Sequence, residues 1–194
     1  MRFGNWFNIK KIFMKQIRFA TTNEYKIKFA NNLLKNYDWE CVPYEVSLIE
    51  PQSMSQEEIS RYKVRQAYEQ AREPIITMDS GIFINALNGF PGIYTSDIFK
   101  TLTNEQILRL LDGAIDRSAF IRQALSYADE KQLKTFTSKS EGTIVLPEEV
   151  VEGYAFDAFF KSNEIDKVMG VMSEEEKNQL WGEAWNQLGR FLSE

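Results

Sequence analysis

The chain has 194 residues, of which 43% are hydrophobic and 26% charged, with a formal net charge of −5. That is the balance of an ordinary globular protein with enough length for a substantial core, and the acidic excess argues against a broad nucleic-acid surface. Histidine is absent and Cys41 is the single cysteine. Ser-His and Cys-His triads, His-rich zinc sites and internal disulfides are thereby excluded. A reducing, cytoplasmic setting is expected, and acid-base work falls to carboxylates, lysine, tyrosine or water.

No apolar run is long enough to span a membrane, so no membrane partner is expected. Residues 1–13 carry Arg2, Lys10 and Lys11 among apolar residues and lack a clean signal-peptide core. They are read as an N-terminal extension outside the fold, with 14–194 as one domain.

Residues 16–20 (Gln-Ile-Arg-Phe-Ala) are predicted as a first strand, followed by the polar turn Thr21-Thr22-Asn23. A helix follows, with Asn23 as its N-cap and Ile27, Ala30, Leu33, Leu34 and Tyr37 on one face. Lys26 then sits beside the free backbone N–H groups of the first turn, an arrangement that suits an anion such as phosphate. Residues 39–46 read as a second strand, bent or at an edge because of Pro43. Ser55-Gln56-Glu57-Glu58 is a capping-box pattern, predicting a helix over 56–72 that carries Lys63.

Residues 74–97 are the centre of the chain. Ile75, Ile76 and Met78 suit a buried strand, and Asp79-Ser80-Gly81 reads as a tight turn before the second run Ile82, Phe83, Ile84. An aspartate at the end of a buried strand is rigidly held and is a good metal ligand or general base. The plainer reading is that Asp79 only caps the turn. Thr103 to Gln106 forms another capping box, opening a short helix through Leu111. Residues 118–128 and 133–140 predict a long antiparallel hairpin, extended by 142–146 and stopped by Pro147. Ser173 to Glu176 is a third capping box, opening a last helix to about Phe191 with Leu180, Ala184, Leu188 and Phe191 as its buried stripe. The whole is α/β: a mixed sheet with flanking helices.

Three stretches taken together resemble one family. They are Thr21-Thr22-Asn23-Glu24-Tyr25-Lys26, then Asp79-Ser80-Gly81 with Leu87-Asn88-Gly89-Phe90-Pro91-Gly92-Ile93-Tyr94, then Tyr154-Ala155-Phe156-Asp157. Over about residues 16 to 192 the chain resembles the inosine triphosphate pyrophosphatases, which hydrolyse non-canonical purine nucleoside triphosphates. The resemblance implies an elongated, two-lobed fold with a central nucleotide cleft, a homodimer, and hydrolysis to the monophosphate and pyrophosphate by a Mg²⁺-activated water. It also implies roles. Thr21, Thr22, Asn23, Lys26 and Lys63 would hold the phosphates. Asp79 would bind Mg²⁺ and act as the base, with Glu50 as the second metal ligand. Ser80 would line the substrate site. Tyr154, Phe156, Asp157 and Lys177 would sandwich and read the base.

The chain also departs from the family. Met78 stands where a second acidic residue usually precedes the aspartate, and Ala158 replaces a proline after Asp157. Trp181-Gly182-Glu183 replaces a Ser-His-Arg segment that reads the 6-keto group. Glu183 accepts hydrogen bonds where the family donates them, which implies an altered base preference. The plainer reading packs Trp181 against Trp185 and turns Glu183 to solvent. The alternative to an enzyme is a nucleotide-binding protein of the same fold with weak or no catalysis.

Overall fold

A computed structural model describes residues 14–153 and 155–194; the extension over 1–13 and Tyr154 lie outside the described residues. Six strands form one mixed sheet in the order β2-β1-β3-β4-β5-β6. These are β1 (Lys15–Phe19), β2 (Trp39–Pro43), β3 (Ile75–Ile84), β4 (Ser118–Ala128), β5 (Leu133–Ile144) and β6 (Phe160–Ser162). β1 runs parallel to β2 and to β3, while β3, β4, β5 and β6 are successively antiparallel. β2 is an edge strand and ends at Pro43, whose missing N–H costs nothing on the unpaired side.

Helices cover both faces. α1 (Glu24–Leu34) places Phe29, Ala30, Leu33 and Leu34 in the main core with Ile17, Phe19 and Ile76. α2 (Gln56–Ala71) packs Val64 and Ala67 against Ile75 and Ala128 on the opposite face. The split follows the strand period: neighbouring residues Ile75 and Ile76 point to opposite sides of β3. Among the described residues no helix is long and apolar enough to cross a membrane.

Several predicted boundaries change. Asp79-Ser80-Gly81 is no turn. β3 pairs with β4 without interruption from Ile75↔Ala128 to Ile84↔Ala119, so Asp79 lies mid-strand. Gly81 is required for close approach: a Cβ there would lie 2.3 Å from the carbonyl oxygen of Gly92. The loop carrying Gly92 is pinned to β3 beside it, because the Thr95 hydroxyl donates to Gly92 O (2.6 Å) and accepts from the N–H of Ile82 (3.0 Å). That loop runs into α3 (Thr95–Thr101), which the sequence reading missed, and then α4 (Asn104–Arg109), shorter than expected.

The expected last helix is two, α5 (Glu174–Trp181) and α6 (Glu183–Ser193). They break at Gly182, where a Cβ would meet Asn178 O at 2.2 Å and Leu33 Cδ2 at 3.1 Å. The capping boxes of α4 and α5 form in full. That of α2 is half made: Ser55 accepts from the N–H of Glu58, but the Glu58 carboxylate accepts from the hydroxyl of Ser53 at 2.6 Å instead.

Candidate active site

A cavity of about 870 Å³ opens between the α1 N-terminus, the middle of β3, the first turns of α2, and the segment from Ile93 to Asn104. Its lining includes Asn23, Lys26, Glu50, Lys63, Asp79 and Ser80 at one end. Phe29, Phe99, Phe156, Asp157 and Trp181 line it too. The volume is that of a pocket for a molecule of drug or nucleotide size.

The charged end is built from two elements fastened together below it. On α2 the Ser60 hydroxyl donates to Ala124 O (3.1 Å) and Ser60 O accepts from the Thr77 hydroxyl (3.0 Å), all buried. Lys63 lies three residues on, on the same helix face. Its ammonium donates to Asp79 Oδ1 at 2.8 Å and to Glu50 Oε1 at 2.6 Å. Burial lowers the Lys63 pKa, but the two carboxylates outweigh it and the net direction is up. The other oxygen, Asp79 Oδ2, is buried and makes no hydrogen bond.

The Glu50 loop is held by a second α2 residue. Gln66 accepts from the N–H of Ile49 (3.0 Å) and donates to its carbonyl (2.7 Å). The sequence reading missed Gln66; its spacing of three from Lys63 was the available signal.

Lys26 reaches from α1 to the carbonyl oxygen of Met78 at 3.2 Å. Burial depresses its pKa, the Asp79 carboxylate opposes that, and the nearby Lys63 ammonium adds to it. The expected free backbone donors are partly used. Asn23 Oδ1 accepts from the N–H groups of Tyr25 (3.0 Å) and Lys26 (3.3 Å), as an N-cap does. Charge for an anion therefore comes from the two lysine ammoniums more than from the helix end. Thr21 and Thr22 sit in the turn before Asn23, outside the cavity lining, where Thr21 Oγ1 accepts from the Asn23 N–H at 3.2 Å.

At the other end Phe156 and Phe29 flank Trp181, with ring centroids 5.7 Å and 6.1 Å from it. Phe99 meets Phe156 edge-on at 6.1 Å. Asp157 is buried and 3.5 Å from the Lys177 ammonium. Burial raises its pKa and Lys177 offsets part of the rise. Lys177 stands behind Asp157 and not in the lining. Tyr25, unforeseen as a site residue, also lines the cavity; its pKa is raised to about 12 by burial and by the nearby Asp157 and Glu174 carboxylates. Ala155 holds φ +50, a left-handed conformation in which a Cβ is strained.

Glu183 is placed away from the cavity. It is exposed and accepts from Gln187 Nε2 (2.9 Å) and Arg190 (3.2 Å) on its own helix. Trp181 and Trp185 go to different partners, Trp185 packing edge-on to Phe19 at 5.5 Å.

No cluster of three or more His, Cys, Asp or Glu exists among the described residues. Two carboxylates, one with an oxygen making no hydrogen bond, suit a hard cation that takes its remaining ligands from water and phosphate.

The Ham1 family profile matches residues 17–190. The chain belongs to the Ham1 family. Among curated relatives of this Ham1-family chain, the dITP/XTP pyrophosphatase of Hyperthermus butylicus is 33% identical over 178 residues, covering 91% of this chain and 94% of the relative. That of Saccharolobus solfataricus is 38% identical over 164 residues, covering 84% and 85%. Among solved structures, the Coxiella burnetii HAM1 protein superposes with a TM-score of 0.79 at 26% identity, covering 93% of this chain and 99% of that one. The Staphylococcus aureus Ham1 protein gives 0.78 at 26% identity, covering 92% and 98%. The α/β fold and the pyrophosphatase resemblance read from the sequence agree with these matches.

Proposed function

We propose that this chain hydrolyses non-canonical purine nucleoside triphosphates such as dITP and XTP to the monophosphate and pyrophosphate, with Mg²⁺ as cofactor. The observation that carries the reading is Asp79. It is a strand-held carboxylate in a nucleotide-sized cavity, beside two lysines, with an aromatic compartment in the same cavity.

Lys26 and Lys63 offset the charge of the triphosphate, and Asn23 supplies a neutral polar group beside them, with Thr21 and Thr22 in the turn that leads into it. Ser80 borders the reacting end. Asp79 and Glu50 are the residues that would hold Mg²⁺, which when bound neutralises phosphate charge and makes water more acidic. Asp79 orients the attacking water and accepts its proton. Phe156, Trp181 and Phe29 offer faces and edges to the base, with Tyr154 as a fourth aromatic from the sequence motif. Stacking accepts any base, so selection falls to polar groups: Asp157, set by Lys177 behind it. A homodimer in a reducing cytoplasm is part of the proposal, resting on the family resemblance and the buried free thiol of Cys41.

The test is steady-state turnover with Mg²⁺ across dITP, XTP, dGTP and dATP. The expected result is the highest kcat/KM for dITP and XTP. Equal rates on dATP contradict the base preference, and binding without turnover of any of them leaves a nucleotide-binding protein.

A further inference from the structure

Lys63 stands where a cation shared by Asp79 and Glu50 would stand. Its ammonium is within 2.8 Å of Asp79 Oδ1 and 2.6 Å of Glu50 Oε1. A Mg²⁺ ion bound by the same two oxygens needs contacts of about 2.1 Å and therefore the same space. An ammonium and a divalent cation cannot share that position, and as neighbours they repel. Building on the pyrophosphatase reading above, we propose that Lys63 is an internal competitor for the divalent cation. In the nucleotide-free protein it keeps the two carboxylates neutralised. The triphosphate draws the ammonium to its own oxygens and so opens the carboxylates to the metal. The protein then takes the metal together with the triphosphate and binds the metal alone weakly.

Three features support this. Lysine carries its charge on a flexible four-carbon stem, so the head can exchange partners while α2 stays fixed. Lys26 holds a second ammonium on the carbonyl oxygen of Met78, at 3.2 Å and one residue from Asp79, so a bare divalent cation meets two positive charges there. The Glu50 loop has an anchor besides Lys63, the Gln66 clamp on Ile49, so departure of the ammonium does not release the loop. Linkage makes the effect reciprocal: the factor by which bound triphosphate raises metal affinity is the factor by which bound metal raises triphosphate affinity.

The test is Mn²⁺ binding to the nucleotide-free protein, read by electron paramagnetic resonance of free Mn²⁺, for wild type, Lys63→Met and the double variant Lys63→Met with Asp79→Asn. Methionine keeps the apolar stem and removes the charge. Lys63→Met is expected to bind Mn²⁺ at least about 10-fold more tightly than wild type, since one unit charge is removed at contact distance. Equal or weaker binding by Lys63→Met overturns the proposal. Asp79→Asn in the Lys63→Met background reports on the metal-site reading separately: if the double variant binds Mn²⁺ as tightly as Lys63→Met, Asp79 is no ligand and the proposal falls with that reading.

Thermal melting of wild type carries the test should Lys63→Met fail to fold. Mn²⁺ with imidodiphosphate should raise Tm by more than the sum of the two added singly, because each ligand stabilises only the state it binds. A Tm rise with Mn²⁺ alone as large as with both ligands overturns the proposal.

Discussion

The Lys26 ammonium donates to the carbonyl oxygen of Met78 at 3.2 Å, tying the start of α1 to the strand residue directly before Asp79. That contact places a positive charge at the middle of β3 without spending it on a carboxylate. Lys26→Gln keeps a donor on the stem and removes the charge. A hydrogen bond to a charged group contributes about 1.5–3 kcal/mol, so kcat/KM for dITP should fall roughly 10- to 100-fold. Steady-state kinetics checks this, and an unchanged kcat/KM would remove Lys26 from the phosphate site.

Gly81 is a packing requirement two residues from Asp79. In Gly81→Ala the new Cβ would fall 2.3 Å from Gly92 O and 3.0 Å from Gln56 Nε2. The Gly92 carbonyl is held by Thr95 and cannot yield freely. Overpacking of this kind costs about 1–3 kcal/mol. Urea denaturation should show that loss with an unchanged m-value, and activity should fall as the loop shifts against β3.

Glu183 faces solvent, with a side-chain exposure of 57%, and pairs with Arg190. Glu183→Gln should therefore leave the ratio of kcat/KM for dITP over dATP within about 2-fold and stability within about 0.5 kcal/mol. A large change in that ratio would return Glu183 to the base site.

Asp157 supplies a pH signature. Its folded-state pKa lies above the ordinary 3.8, chiefly through burial, with Lys177 offsetting part. The folded protein thus holds an extra proton between 3.8 and the raised value. Stability is lost as pH rises through that window, by linkage. Asp157→Asn removes the titration, so the Tm of the variant minus that of wild type should grow as pH is raised from 3.8 toward neutrality. A difference that is flat or shrinks over that range contradicts the assignment.

Local chemistry made much of the fold legible. The β4–β5 hairpin follows from alternation, and the starts of α2, α4 and α5 follow from Ser55, Thr103 and Ser173 as caps. What was illegible depends on distant contacts. Asp79-Ser80-Gly81 has turn composition, yet ten-residue pairing with β4 keeps it extended. The last helix breaks at Gly182, where a side chain would collide with Asn178 O and Leu33 of α1. At the site, Lys26, Lys63, Asp79 and Glu50 come together as the motifs imply. Phe29 and Phe99 carry no motif and emerge only once α1 and the Ile93–Asn104 segment line one cavity, and Gln66 gains its role only through its clamp on Ile49 in the distant Glu50 loop.

The most direct measurement is the product analysis of dITP hydrolysis with Mg²⁺, by wild type and Asp79→Asn. The account predicts one pyrophosphate and one monophosphate per dITP, no orthophosphate, and a rate at least about 100-fold lower in Asp79→Asn, as loss of a general base entails. Release of orthophosphate with accumulation of the diphosphate, or undiminished turnover by Asp79→Asn, would contradict it.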